Sequence, residues 1–123
     1  MLKAMKNERV TPDVAKYGGS RRPANIRGDV QALHGWVERW NATNPTMPTL
    51  TLKVSSDAIV LLEVEDDGAT CRVARFPLRD GHWRLQWMRG NGRWMDYEPG
   101  SRYLTLAIPM LLIDEDVDGC FWG

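Results

Sequence analysis

Residues 83 to 99 read W-R-L-Q-W-M-R-G-N-G-R-W-M-D-Y-E-P, a β-hairpin rich in tryptophan and arginine. Gly90, Asn91 and Gly92 make a three-residue loop with Gly92 at the left-handed position of a bulge turn, where the absence of a Cβ removes the steric penalty. The register follows: Arg89 faces Arg93, Met88 faces Trp94, Trp87 faces Met95, Gln86 faces Asp96, Leu85 faces Tyr97 and Arg84 faces Glu98. Side chains alternate between the faces of a strand, so Trp83, Leu85, Trp87, Met95 and Tyr97 share one apolar face. The other face holds Arg84, Gln86, Asp96 and Glu98, with Met88 and Trp94 near the tip. A two-residue Asn91-Gly92 turn would set Trp87 against Asp96 and Leu85 against Glu98, mixing the faces, and is the poorer reading.

The segments before the hairpin extend the same sheet. Leu50, Leu52 and Val54 alternate with Thr49, Thr51 and Lys53, and Ala58 to Val64 is a nearly continuous apolar run. With Thr70 to Phe76, Trp83 to Met88 and Arg93 to Tyr97, these predict a five-stranded antiparallel meander. Ser55-Ser56-Asp57, Asp66-Asp67-Gly68 and a connection from Leu78 to His82 containing Asp80-Gly81 are the turns. Upstream, Val30, Leu33, Val37 and Trp40 recur at helical spacing behind Asp29 as N-cap, which predicts a helix from about Val30 to Asn41. The helix ends before Asn44-Pro45, because proline disfavours helical geometry in the residue preceding it. Gly35 inside it suggests close packing against another backbone. Downstream, Tyr103 to Ile113 reads as a short helix kinked by Pro109. The expected class is α+β: the meander packed against one N-terminal helix and a short C-terminal helix.

Residues 1–28 alternate Lys, Arg, Asn, Gly and Pro with few large apolar side chains and read as a partly flexible arm; residues 29–123 form one domain. Sixteen Lys plus Arg balance sixteen Asp plus Glu, so no global field draws the chain to nucleic acid or anionic lipid. Twelve of those cations are arginine, the side chain suited to bidentate pairing with carboxylate or phosphate. The longest apolar run, Leu104 to Ile113, is about half of the ~20 residues a membrane span needs. Cys71 and Cys120 are far apart in sequence and no leader follows Met1, so a cytoplasmic setting with reduced thiols is expected.

No constellation for catalysis stands out. Asp114, Asp116, Asp118 and Gly119 match the opening of a calcium loop, but the bidentate glutamate of its twelfth position would fall at residue 125, past Gly123. His34 and His82 have no zinc-type spacing around them, and neither cysteine has a nucleophile motif. Reviving a hydrolase would take a cleft joining one of those histidines to a carboxylate. No cofactor is implied.

Trp83 and Trp87 are expected in the core. Trp94 lies on the polar face beside Met88, with Arg89 and Arg93 near, a combination of rigid aromatic, thioether and guanidinium that binding surfaces favour. Cover of that face by a helix or the C-terminal segment is the competing reading. Arg21, Arg22 and Arg27 in the arm, with Arg84, Arg89, Arg93 and Trp94, also fit single-stranded nucleic acid; the balanced charge and acidic tail argue against it.

The chain resembles a family of small bacterial proteins, domain of unknown function 3024. The likeness lies in Arg21-Arg22-Pro23 with Ile26-Arg27, in Trp83-x-Leu85-x-Trp87 followed by Trp94 and Tyr97-Glu98-Pro99, and in the ending Gly119-Cys120-Phe121-Trp122-Gly123. Where the family carries a histidine shortly after the third tryptophan, this chain has Met95. The resemblance implies a shared fold in a bacterial cytoplasm, brings no activity with it, and draws attention to Arg27, Trp94, Glu98 and Pro99. The expected function is a non-catalytic binding or regulatory module meeting a partner, a protein before a nucleic acid, through Arg27, Arg84, Met88, Arg89, Arg93, Trp94 and Glu98.

Overall fold

The period-two segments pair in chain order. In a computed structural model, which describes residues 26–122, the strands are β1 (Thr49–Val54), β2 (Ala58–Val64), β3 (Thr70–Arg79), β4 (His82–Trp83), β5 (Gln86–Met88) and β6 (Trp94–Asp96), and the helices are α1 (Ile26–Thr43) and α2 (Ala107–Glu115). The sheet runs β1-β2-β3-β5-β6, every pairing antiparallel, with β4 also on β3. This is the expected α+β meander with its two helices.

The fourth strand of the meander is β4 and β5 in one register, since Leu78 faces Trp83, Arg75 faces Gln86 and Ala74 faces Trp87, and the Arg84 N–H donates to the Pro77 carbonyl between them at 2.9 Å. The connection expected from Leu78 to His82 is shorter than that. β3 continues through Pro77 to Arg79, and Asp80 and Gly81 alone turn the chain, with φ of 53° and 75°. Two successive positive φ values are the mark of a type I′ turn, whose twist matches that of the flanking strands. Between β2 and β3 the pairing passes from Leu61 with Ala74 to Leu62 with Arg72. The extra residue, Val73, is a bulge, and it lets Val73 and Ala74 both be buried.

All described helical cover lies on one side of the sheet. Leu50, Ile59, Leu61, Phe76, Trp83 and Leu85 point to that side and pack with Leu33 and Val37 of α1 and with Leu106, Leu112 and Ile113 around α2. Both helix readings need correction at the start. α1 begins at Ile26, so the last three residues assigned to the arm are its first turn; the rest of the arm, residues 1–25, lies outside the described residues. Asp29 is no cap. It is buried in that first turn, where its carboxylate takes the Trp83 indole N–H at 2.6 Å. Among the described residues Gly35 meets no backbone of another element: a Cβ there would lie 3.4 Å from Nη1 of Arg39, one turn along α1. α1 ends where expected, with Thr43 Oγ1 donating to the Arg39 carbonyl and Asn44 Nδ2 to the Trp40 carbonyl.

α2 starts at Ala107, later than expected, and Pro109 does not kink it. As the third residue of the helix, Pro109 sits where backbone N–H groups have no intrahelical acceptor, so its missing donor costs nothing there. At the other end Asp116 adopts φ 41° and its carboxylate accepts the N–H groups of Phe121 and Trp122 at 3.1 and 2.9 Å. Asp118 takes the Tyr97 hydroxyl at 2.8 Å. Two carboxylates of the calcium-like run thus hold the closing turn. Trp122 stacks on Trp40 with ring centroids 4.6 Å apart, and Trp40 on Trp36 at 5.8 Å. Among the described residues no helix is long and apolar enough to cross a membrane.

One side chain closes the outer edge of the sheet. Asn41 of α1 donates from Nδ2 to the Leu50 carbonyl at 3.1 Å and accepts the Leu50 N–H on Oδ1 at 2.8 Å. At that position of β1 the amide occupies the groups that another strand would use.

Candidate functional site

The hairpin register is as read from the sequence: Gln86 faces Asp96, Trp87 faces Met95 and Met88 faces Trp94. Gly92, at φ 80°, sits in the left-handed region, and Arg89 N–H donates to the Arg93 carbonyl at 3.0 Å. Tyr97 N–H donates to the Leu85 carbonyl at 2.9 Å, which carries the pairing beyond β6. The helix-facing side is less uniformly buried than the alternation suggests. Trp83 is 1 % exposed and Leu85 buried, Trp87 is half-buried against the core, and Met95 is 40 % exposed. Cover thins toward the hairpin tip, so Met95 is not a core residue.

On the opposite side a polar line crosses three strands. Arg75 Nη1 of β3 donates to Gln86 Oε1 of β5 at 3.0 Å, and Gln86 Nε2 donates to Asp96 Oδ1 of β6 at 3.0 Å. Beside it Arg79, Arg84, Gln86 and Asp96 line an open hollow of about 310 Å³. Nε of Arg84 is out of water without a hydrogen-bond partner. Met88 and Trp94, directly opposite each other, stand next along the same face, half-buried and outside the core cluster. Paired residues share a face; Arg72 pairs with Leu62 and Lys53 with Val60, which puts both on this side as well. A corner formed by Ala58, Pro77 and His82 is closed.

The expected site residues divide. Arg84, Met88 and Trp94 come together on this face. Arg89 and Arg93 do not: alternation puts them on the side of Trp87 and Met95, and the Arg89 guanidinium lies 6.0 Å from the centre of the Trp87 ring. Arg27 is exposed in the first turn of α1, on the helix side of the sheet. Glu98 accepts the Tyr103 hydroxyl at 3.2 Å. Arg75, Arg79, Gln86 and Asp96 join the site only through the pairing of β3 with β4 and β5 and of β5 with β6. Had Asp80-Gly81 been read as a two-residue turn, it would have set Arg79 and Arg84 on one face.

Among the described residues no arrangement of base and orienting group prepares a nucleophile. His82 is buried, and its Nδ1 must carry the proton it gives to the Asp80 carbonyl at 3.0 Å, since a carbonyl only accepts. Its Nε2 has no partner. Burial pushes the Cys120 thiol above its ordinary range, and the charges of Asp118 and Asp116 push the same way. Burial likewise raises the Glu63 carboxyl, with Glu65 adding to it. Both cysteines are free, and no cluster of three or more His, Cys, Asp or Glu suited to a metal occurs among the described residues.

No curated protein and no solved structure matches the chain. Residues 3–123 match the family described as Domain of unknown function (DUF3024), the same family the tryptophan hairpin and the Gly119 to Gly123 ending point to, and the chain belongs to it.

Proposed function

We propose that this is a non-catalytic binding module whose sheet face away from the helices meets a protein partner rich in acidic side chains. The observation that carries the reading is charge segregation. Lys53, Arg72, Arg75, Arg79 and Arg84 lie on this face against Asp96, on a chain whose formal charge is zero. Trp94 and Met88 add an aromatic anchor and an adaptable apolar contact to the same surface, the mixture in which binding energy concentrates. A bacterial cytoplasm is the setting assumed, consistent with two free thiols.

The test is fluorescence anisotropy of the full chain with a labelled peptide alternating glutamate and leucine. Binding should weaken roughly ten-fold or more in Trp94→Ala, a loss of about 1.4 kcal/mol or more, and stay unchanged in Arg89→Ala and Arg93→Ala. Equal binding by wild type and Trp94→Ala would end this reading.

A second reading, single-stranded nucleic acid, is favoured by one observation: Trp94 shares its face with the arginines, so a base could stack while guanidiniums meet phosphates. It requires oligothymidylate binding whose log affinity falls against log salt with a slope of about −0.7 per phosphate contact.

A further inference from the structure

We infer that the hollow lined by Arg79, Arg84, Gln86 and Asp96 is a seat for one carboxylate group, the side chain of an aspartate or glutamate on a partner. This rests on the reading of that face as a binding surface and names the chemistry at its centre. Across the Asp80-Gly81 hairpin Arg79 pairs with His82 and Arg84 lies opposite Pro77. The two arginines are therefore diagonal neighbours on one face, about 7–8 Å apart at the backbone and within reach of each other's ligands.

Two guanidiniums thus line one hollow with a single acid, Asp96. That acid is committed elsewhere. Its Oδ1 holds Gln86 Nε2, and the far end of the same amide holds Arg75. The formal charge of the lining is +1, from Arg79 and Arg84 against Asp96, which matches a monoanion. A carboxylate is a monoanion throughout neutral pH, whereas a phosphomonoester carries about −1.5 to −2 and meets Asp96 with excess repulsion. The planar fork of guanidinium fits the planar carboxylate in two parallel hydrogen bonds. The closed corner of Ala58, Pro77 and His82 next to it limits solvent on one side, which weakens screening of the pair. One Arg84 nitrogen is already out of water with no acceptor, so part of the desolvation that ion pairing requires is complete before a ligand arrives. A phosphodiester is also a monoanion, but it brings further phosphates along its chain toward Asp96, and the balanced charge of the protein supplies no long-range attraction for a polyanion.

The experiment is a titration of the ¹⁵N-labelled full chain with N-acetyl-glutamate methylamide, its glutamine counterpart, and dimethyl phosphate, following the arginine Nε–H signals. The glutamate compound should shift Arg79 and Arg84 saturably and leave Arg89 and Arg93 in place, and the glutamine compound should shift none of them. Arg79→Gln or Arg84→Gln should weaken binding about ten-fold. Asp96→Asn, which keeps an oxygen for Gln86, should tighten it several-fold. A merely structural role for Asp96 would not produce that gain. Equal shifts with the glutamine compound, no shift with either, or weaker binding in Asp96→Asn each overturns the seat. Shifts with dimethyl phosphate alone overturn the carboxylate and transfer the site to a phosphodiester. If the glutamate-leucine peptide binds through Trp94 while the glutamate compound leaves Arg84 unmoved, the seat fails and the wider reading stands. If the compound binds and the peptide does not, the wider reading fails and the seat stands.

Discussion

The indole N–H of Trp83 reaches across 54 residues of sequence to the carboxylate of Asp29 at 2.6 Å, and both side chains are buried. The backbone N–H of Leu106, beside the start of α2, favours the charged form of the same carboxylate. One acid therefore ties the first turn of α1 to the sheet.

Removing either partner of that bond strands the other. Asp29→Ala leaves a buried donor without an acceptor, at a cost of about 1–3 kcal/mol. Trp83→Phe leaves a buried carboxylate with one donor fewer and opens space in the core, for a similar or larger loss. In a double-mutant cycle by urea denaturation the two should couple by about 1–3 kcal/mol; independent effects would show that the bond contributes no more than its parts.

The same acid makes a pH prediction. Burial raises the Asp29 carboxyl above its ordinary value, against the opposing effect of the bonds from Trp83 and Leu106. A group raised in the fold stabilises it most below the unfolded value, near 3.9, and that contribution is lost as pH rises through the folded value. The difference in urea midpoint between wild type and Asp29→Asn should therefore move against wild type from about pH 4 upward. A difference that stays constant with pH would show that Asp29 titrates as it does in the unfolded chain.

Asn41→Ala uncovers the N–H and carbonyl of Leu50 on the outer edge of β1. Stability should fall by roughly 1–2 kcal/mol, and the exposed edge should promote self-association. Light scattering after gel filtration measures the second effect directly: the variant should form higher species at concentrations where wild type does not.

The two thiols should separate kinetically. Cys71 is exposed, whereas burial and the charges of Asp118 and Asp116 raise Cys120 and keep it protonated. Thiolate is the reactive form, so Ellman's reagent should label Cys71 first and Cys120 at least several-fold more slowly, which peptide mapping of a partly labelled sample resolves. Comparable rates at both positions would contradict the placement of Cys120.

How much of this is legible in the sequence depends on how local its cause is. Gly90-Asn91-Gly92 and the sorting of apolar from polar side chains set the pairing of Gln86 with Asp96 without reference to the rest of the chain, and the structure has that pairing. Proline at 45 and the 3.6-residue period of Leu33, Val37 and Trp40 likewise place the body and end of α1. Asp29, a small acid ahead of an apolar period, has the look of a cap; its partner is 54 residues away, and no spacing rule reaches that far. The exposure of Met95 is not legible for a related reason. Alternation says which side a residue faces but not how far the helices extend over that side. The candidate site was legible in part: Arg84, Met88 and Trp94 follow from the hairpin alone, while Arg75 and Arg79 enter only through β3. Arg89 and Arg93 are near Trp94 in sequence, but the same alternation puts them on the other face.

The line from Arg75 through Gln86 to Asp96 also has a polarity. The carbonyl end of the amide faces a cation and the amine end faces an anion, so while both charges stand it cannot turn over without setting donor against donor and acceptor against acceptor. Plus on β3 and minus on β6, two strand spacings of about 4.8 Å apart, make a fixed dipole lying across the strands. A partner bound as proposed above would meet a positive end at Arg75 and a negative end at Asp96, so the order of its own charged side chains would set the way it lies across the strands.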